Sequence, residues 1–135
     1  MNKIELKIEQ DLTSQYDAVV YYMERMDIGK INEVLDNQKY SHKAKPEFIK
    51  LLKGVFEVFK AAGNEQLHAV SGVCKGCNFG CKGYSFIGTN DNSHLDLAFE
   101  FENGRIKDMC DCSNFATSAG KKGIRVNLDP DNFPF

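Results

Sequence analysis

The chain contains no tryptophan, no apolar run of membrane-spanning length and no surplus of either charge. Each absence excludes something. Without tryptophan, the bulk of any core has to come from the ten phenylalanines and five tyrosines. A formal net charge of −2 leaves no basic surplus with which to neutralise phosphates, so nucleic acid is not an expected partner. Lys75, Lys82 and the pair Lys121-Lys122 are local exceptions, too few to change this. A membrane helix needs about 20 consecutive apolar residues, and no stretch approaches that length. The opening "MNKIELKIEQ" interrupts every apolar residue with a charge and lacks the apolar centre of an export signal. These absences point to a soluble, cytoplasmic protein with no membrane association. No phosphate loop, nucleophile elbow or HExxH motif is present, and no repeat, linker or low-complexity tract divides the chain. The 135 residues, 42% apolar, therefore read as one domain spanning 1–135.

Hydrophobic periodicity orders the elements. Residues 3–9 alternate Ile4, Leu6 and Ile8 against lysines and glutamates, which predicts an N-terminal strand with one buried face. Ser14 and Asp17 form a capping-box pattern ahead of a helix carrying Tyr16, Val19, Val20, Met23 and Met26. Asp27 caps a second short helix with Ile28, Ile31, Val34 and Leu35, and "NQKYSH" reads as a brief strand or a turn. "KPEFIKLLKGVFEVFKAAG" predicts the longest helix. Pro46 lies in its first turn, Phe48, Leu51, Leu52, Val55, Phe56 and Phe59 form its apolar stripe, and Gly63 stops it. Strands follow at "QLHAVSGV", "GYSFIG", "HLDLAFEF" and "RIKDMCDC". Asn103-Gly104 makes a type I′ turn between the last two. "GIRVNL" reads as a further short strand and "DPDNFPF" as coil. Helices grouped before strands predict an α+β fold: three N-terminal helices packed on a curved, mainly antiparallel sheet, with an N-terminal strand.

All five cysteines fall in two short phrases, "GVCKGCNFGCKG" and "MCDCSNF". In a reducing compartment such clusters are metal ligands more often than disulfides, and an odd number cannot pair completely. Cys74, Cys77 and Cys81 are spaced C-x2-C-x3-C. Two thiolates in one tight turn can both reach a tetrahedral zinc ion, and Gly76, Gly80 and Gly83 let the backbone wrap closely. Asn78 stands where many zinc knuckles have glycine. Cys110 and Cys112 share one face of a strand, about 6.5 Å apart along it. Two sulfurs on one zinc are only about 3.8 Å apart, so both cannot bind unless the strand bends. Cys112 lies at the strand end and is the expected fourth ligand, with Cys110 as its substitute. In the interior, Cys110 reads as a small apolar residue beside Leu97. The expected centre is thus a structural Zn2+ held by Cys74, Cys77, Cys81 and Cys112. Metal-free buried thiols, disulfides and an iron–sulfur cluster are the competing readings, and no ferredoxin spacing supports the last. His68 or His94 could replace a thiol, but a lone strand histidine is more often a surface or satisfied residue.

If Phe101 faces Ile106 across the turn and the ladder continues without a break, Phe99 faces Asp108. A carboxylate on that apolar face could act as an acid or base in a pocket. A bulge would instead turn Asp108 to solvent or to a backbone partner.

"YDAVVYYMERMDIGKINEVLDNQKY", "KPEFIKLLKGVFEVF" and "HLDLAFEFENGRIKDM" together resemble, in pattern and order, the nuclear transport factor 2-like superfamily over roughly residues 14 to 112. The resemblance implies a cone, with a strongly curved sheet wrapped on helices and a small-molecule pocket at its open end. Asp108 would be a lining residue, and homodimers form through the sheets in such families. The N-terminal strand and the cysteine insertion depart from that pattern. The leading expectation is a non-enzymatic binding or interaction module with a structural zinc. The alternative is a ligand-binding or catalytic cone using Asp108.

Overall fold

The computed structural model describes residues 14–75, 82–112, 115–117 and 123–128. The strand expected at residues 3–9 and the coil expected from residue 129 lie outside them.

Three helices precede a five-stranded antiparallel sheet. The first, α1 (Gln15–Glu24), starts where the Ser14 hydroxyl accepts the Asp17 N–H at 3.0 Å. Asp27 caps α2 (Ile28–Val34) in the same way, accepting the Lys30 N–H; such caps satisfy donors that the first helical turn leaves open. The third helix, α3 (Lys45–Ala61), has Pro46 in its first turn, and Gly63 follows it at φ 87°. All six residues of its expected stripe are buried. Between α2 and α3, Tyr40 and Lys43 exchange both backbone hydrogen bonds around Ser41 and His42, which both have positive φ. "NQKYSH" is therefore a tight turn closed by a single bridge. No helix among the described residues is long and apolar enough to cross a membrane.

The strands are β1 (Leu67–Cys74), β2 (Lys82–Gly88), β3 (His94–Glu102), β4 (Arg105–Asp111) and β5 (Phe115–Thr117), in spatial order β4-β3-β2-β1-β5. Leu95, Leu97 and Phe99 of β3 alternate toward the helices. With Phe86, Ile106 and Met109 they meet Val19, Met23, Ile31 and the α3 stripe in one core. Burial of each such side chain stabilises the fold by roughly 1.5–3 kcal/mol, so this interface is where the fold is held. "GIRVNL" adds a single parallel bridge, Arg125 to His94, and no longer ladder.

The β3–β4 hairpin turns at Asn103 and Gly104 with positive φ at both, as its two-residue loop requires. Phe101 pairs with Ile106, but Glu100 then pairs with Asp108, so Lys107 is an extra residue in the ladder. This bulge corrects the unbroken register. Met109 rather than Asp108 faces Phe99, Asp111 rather than Cys110 faces Leu97, and Cys110 faces Ala98. A bulge leaves ladder groups without strand partners, and two glutamines take them up. Gln15 Oε1 accepts the Ile106 N–H at 2.7 Å, while Gln38 Nε2 donates to the Ile106 and Lys107 carbonyls. Composition and alternation carry no trace of these long-range partners.

Asp108 is thereby turned onto the Ser41 turn. Its Oδ1 accepts the Ser41 and Met109 N–H groups, both at 2.8 Å. Replacing it by alanine leaves the Ser41 N–H without an acceptor at a half-buried site, which costs about 1–3 kcal/mol. Urea unfolding of Asp108→Ala is expected to show that loss, and Asp108→Asn, which keeps an acceptor oxygen, a smaller one.

Candidate metal centre

Glycine and alanine line the face of the sheet turned away from the helices. Gly72 pairs with Gly83, and Gly83 pairs with Ala98. A Cβ on Gly72 would stand 2.6 Å from Phe115 Cε1, so the Phe115 ring lies across the bare backbone of β1. A Cβ on Gly83 would collide with the Leu97 carbonyl oxygen and come within 2.9 Å of Ala98 Cα. With no side chains to hold them apart, the strands approach closely and the sheet bends across this corner, as glycines at barrel corners allow.

The bend brings the cysteines together. Three strand spacings separate β1 from β4, about 14 Å on a flat sheet. Yet Cys74, the last residue of β1, and Cys112, just beyond β4, have Cα atoms 6.5 Å apart, and their sulfurs are joined as a disulfide across 38 residues of sequence. Cys112 is held in place by its N–H, which donates to the Asp96 carbonyl at 3.0 Å. Cys74, Cys112, Ala98 and Phe115 pack as a small apolar cluster separate from the main core. Cys112 is only 7% exposed, so solvent has little access to its sulfur.

The other expected ligands divide into two groups. Cys77 and Cys81 lie outside the described residues. Cys110 sits within β4, where its thiol donates to Asp108 Oδ2 at 3.2 Å. It is a hydrogen-bonding group and not the purely apolar spacer expected beside Leu97. Of the two candidates for the fourth position, Cys112 is the one that reaches Cys74. Among the described residues, no group of three or more His, Cys, Asp or Glu side chains converges as a metal-holding cluster. Lys75 and Lys82, which flank residues 76–81 in the sequence, are exposed. His68 is exposed, 3.8 Å from Glu24.

His94 belongs to a polar network that alternation misses. The pattern of "HLDLAFEF" sends Asp96 to solvent, but Asp96 is 1% exposed, because residues 123–128 cross this part of the sheet. Its Oδ1 accepts the Ser85 hydroxyl at 2.6 Å and lies 2.9 Å from His94 Nδ1. Its Oδ2 faces Arg125 Nε at 3.9 Å, too long for a direct hydrogen bond, and neither atom has a hydrogen-bond partner among the described residues. Arg125 also pairs with Asp111, whose other oxygen accepts the Leu128 N–H at 2.8 Å. Burial pushes the Asp111 carboxyl above the usual carboxylate range, with the Leu128 N–H and Arg125 opposing it. One guanidinium thus ties the trailing segment to β3 and to the residue beside Cys112. The sole sequence signal was an arginine inside an apolar run.

Compared with known protein families, with curated proteins and with solved structures, the chain matches none.

Proposed function

We propose that this chain is a small zinc-binding module, with a structural centre of four thiolates from Cys74, Cys77, Cys81 and Cys112, acting as a non-enzymatic binding or interaction domain. One observation carries the reading: the bend that sets Cys74 against Cys112 in a nearly dry cluster with Phe115 and Ala98. The disulfide accounts for this approach in the oxidised protein; the proposal concerns the reduced protein, in which the same two thiols face each other. As thiolates they would supply half of a tetrahedral shell, and the C-x2-C spacing of Cys74 and Cys77 is one from which both thiolates can reach the same ion. Sulfurs about 3.8 Å apart on zinc require only a modest side-chain rotation from direct contact. Zinc here would hold the ends of β1 and β4 together in the reduced protein, and a filled thiolate shell leaves no open position for substrate.

The helix-then-sheet order and the bent sheet agree with a cone-shaped domain like those of the nuclear transport factor 2-like superfamily, whose members bind ligands or pair through their sheets. The alternative of an acid or base at Asp108 loses support from the engagement of both its oxygens.

Elemental mass spectrometry of protein purified under reducing conditions tests the reading. Near-stoichiometric zinc is expected in the parent and a marked loss in Cys77→Ser. Metal-free parent protein of undiminished thermal stability would end it.

A further inference from the structure

A three-residue strand at the edge of a sheet is a weak element unless something pins it. We propose that the Cys74–Cys112 disulfide is a redox latch on β5: it holds Phe115–Thr117 against β1, and its reduction in the metal-free chain releases that strand. The inference goes beyond the zinc reading and does not depend on it.

Three observations converge on this strand. β5 lies at the edge of the sheet and pairs with Gly72, Val73 and Cys74, the last three residues of β1. Cys74 stands directly opposite Phe115, whereas the described β1–β2 ladder ends at Val73 and Lys82. Cys112 precedes Phe115 by three residues and is anchored by its N–H on the Asp96 carbonyl. The disulfide therefore joins the strand end that receives β5 to the point from which the chain departs toward it. With the bond, pairing Cys74 with Phe115 closes a loop of only a few residues; without it, the same pairing closes one of about 40. The other anchor is the Phe115 ring, buried on Ala98 and the two cysteines apart from the main core. Half of that cluster is the disulfide itself.

The step balances with two equivalents of a thiol such as glutathione. The first thiolate attacks Cys74, which is half-buried beside the exposed Lys75, while Cys112 is only 7% exposed; access decides which sulfur is attacked. The S–S bond breaks and Cys112 leaves. A second thiolate attacks the mixed disulfide, and glutathione disulfide departs. The two protons given up by the thiols end on Cys74 and Cys112. Release of β5 opens the Gly72–Cys74 edge of β1, so redox state sets which backbone groups the sheet presents.

Hydrogen exchange read by mass spectrometry tests this on the full chain, oxidised and dithiothreitol-reduced, with a chelator present. Amides of Phe115–Thr117 and Gly72–Cys74 are expected to exchange roughly 30-fold faster or more after reduction, the lower end of what a disulfide contributes. Those of α3 should change far less. Unchanged rates at Phe115–Thr117 overturn the latch. So does a uniform increase that includes α3, since the bond would then serve the whole fold. Cys110→Ser is expected to respond as the parent does, and a lost response there would move the role to Cys110 and overturn the proposal. Zinc added in place of the chelator separates the two readings: protection regained in the reduced protein supports the zinc centre, and protection not regained counts against that centre while the latch stands.

Discussion

Gly83→Ala is expected to destabilise the fold by about 3–5 kcal/mol, near the limit for a single substitution. The added methyl has nowhere to go: its carbon would overlap the Leu97 carbonyl oxygen and press on Ala98 Cα. Both are backbone atoms of the neighbouring strand, so no rotamer change relieves the clash, and β3 must move away from β2. Leu97 is also a core residue, so any such movement disturbs the packing against α3. Most alanine substitutions for glycine in strands are neutral or favourable through the unfolded chain, which gives the experiment its sign. Chemical denaturation of Gly83→Ala beside Gly104→Ala separates the cases. Gly104 has open space around its missing Cβ and a positive φ, so its cost is confined to local turn strain of about 1 kcal/mol. Equal effects at the two positions would mean that β2 and β3 are not in the close approach described.

Cys112→Ser and Cys110→Ser are expected to differ sharply although two residues separate them. Structural zinc sites contribute on the order of 10 kcal/mol to folding in small domains. A chain of this size has a total stability of about 5–15 kcal/mol. Under the zinc proposal, replacing Cys112 should therefore remove most of the bound zinc and lower the melting temperature by tens of degrees. Cys110→Ser keeps a donor to Asp108 in place of the thiol and should retain zinc and melt within a few degrees of the parent. Zinc content and calorimetry, measured on the same reduced preparations, decide it. The reverse order, with Cys110→Ser losing the metal, would exchange the roles of the two cysteines.

Local signals in the sequence carried much of this architecture. The caps at Ser14 and Asp27, the α3 stripe and the Asn103-Gly104 turn depend on residues within a few positions of one another, and all of them formed. The bulge at Lys107 did not announce itself, because the residues that make it tolerable are Gln15 and Gln38, about 90 and 70 positions away in the chain. Its effect was large: one inserted residue moves every later side chain to the other face, which is why Asp108 left the apolar row and Met109 entered it. The burial of Asp96 escapes alternation for a related reason. Alternation tells which residues share a face, but not whether a later segment will cover it. The closeness of Cys74 and Cys112 was suggested by the cysteine spacing and by the place of Cys112 at a strand end; the glycine-to-glycine pairing beside it depends on strand register.

The Arg125 contacts have a consequence for where the chain could be shortened. Residues 123–128 look dispensable, a short stretch after the last paired strand that adds only one isolated bridge. Ending the protein before Gly123 would nevertheless remove the guanidinium from Asp96 and Asp111, the Leu128 N–H from Asp111, and the Val126 and Leu128 side chains from the core. What reads as a tail is a buttress, and deletions meant to tidy that end would be paid for in solubility and yield.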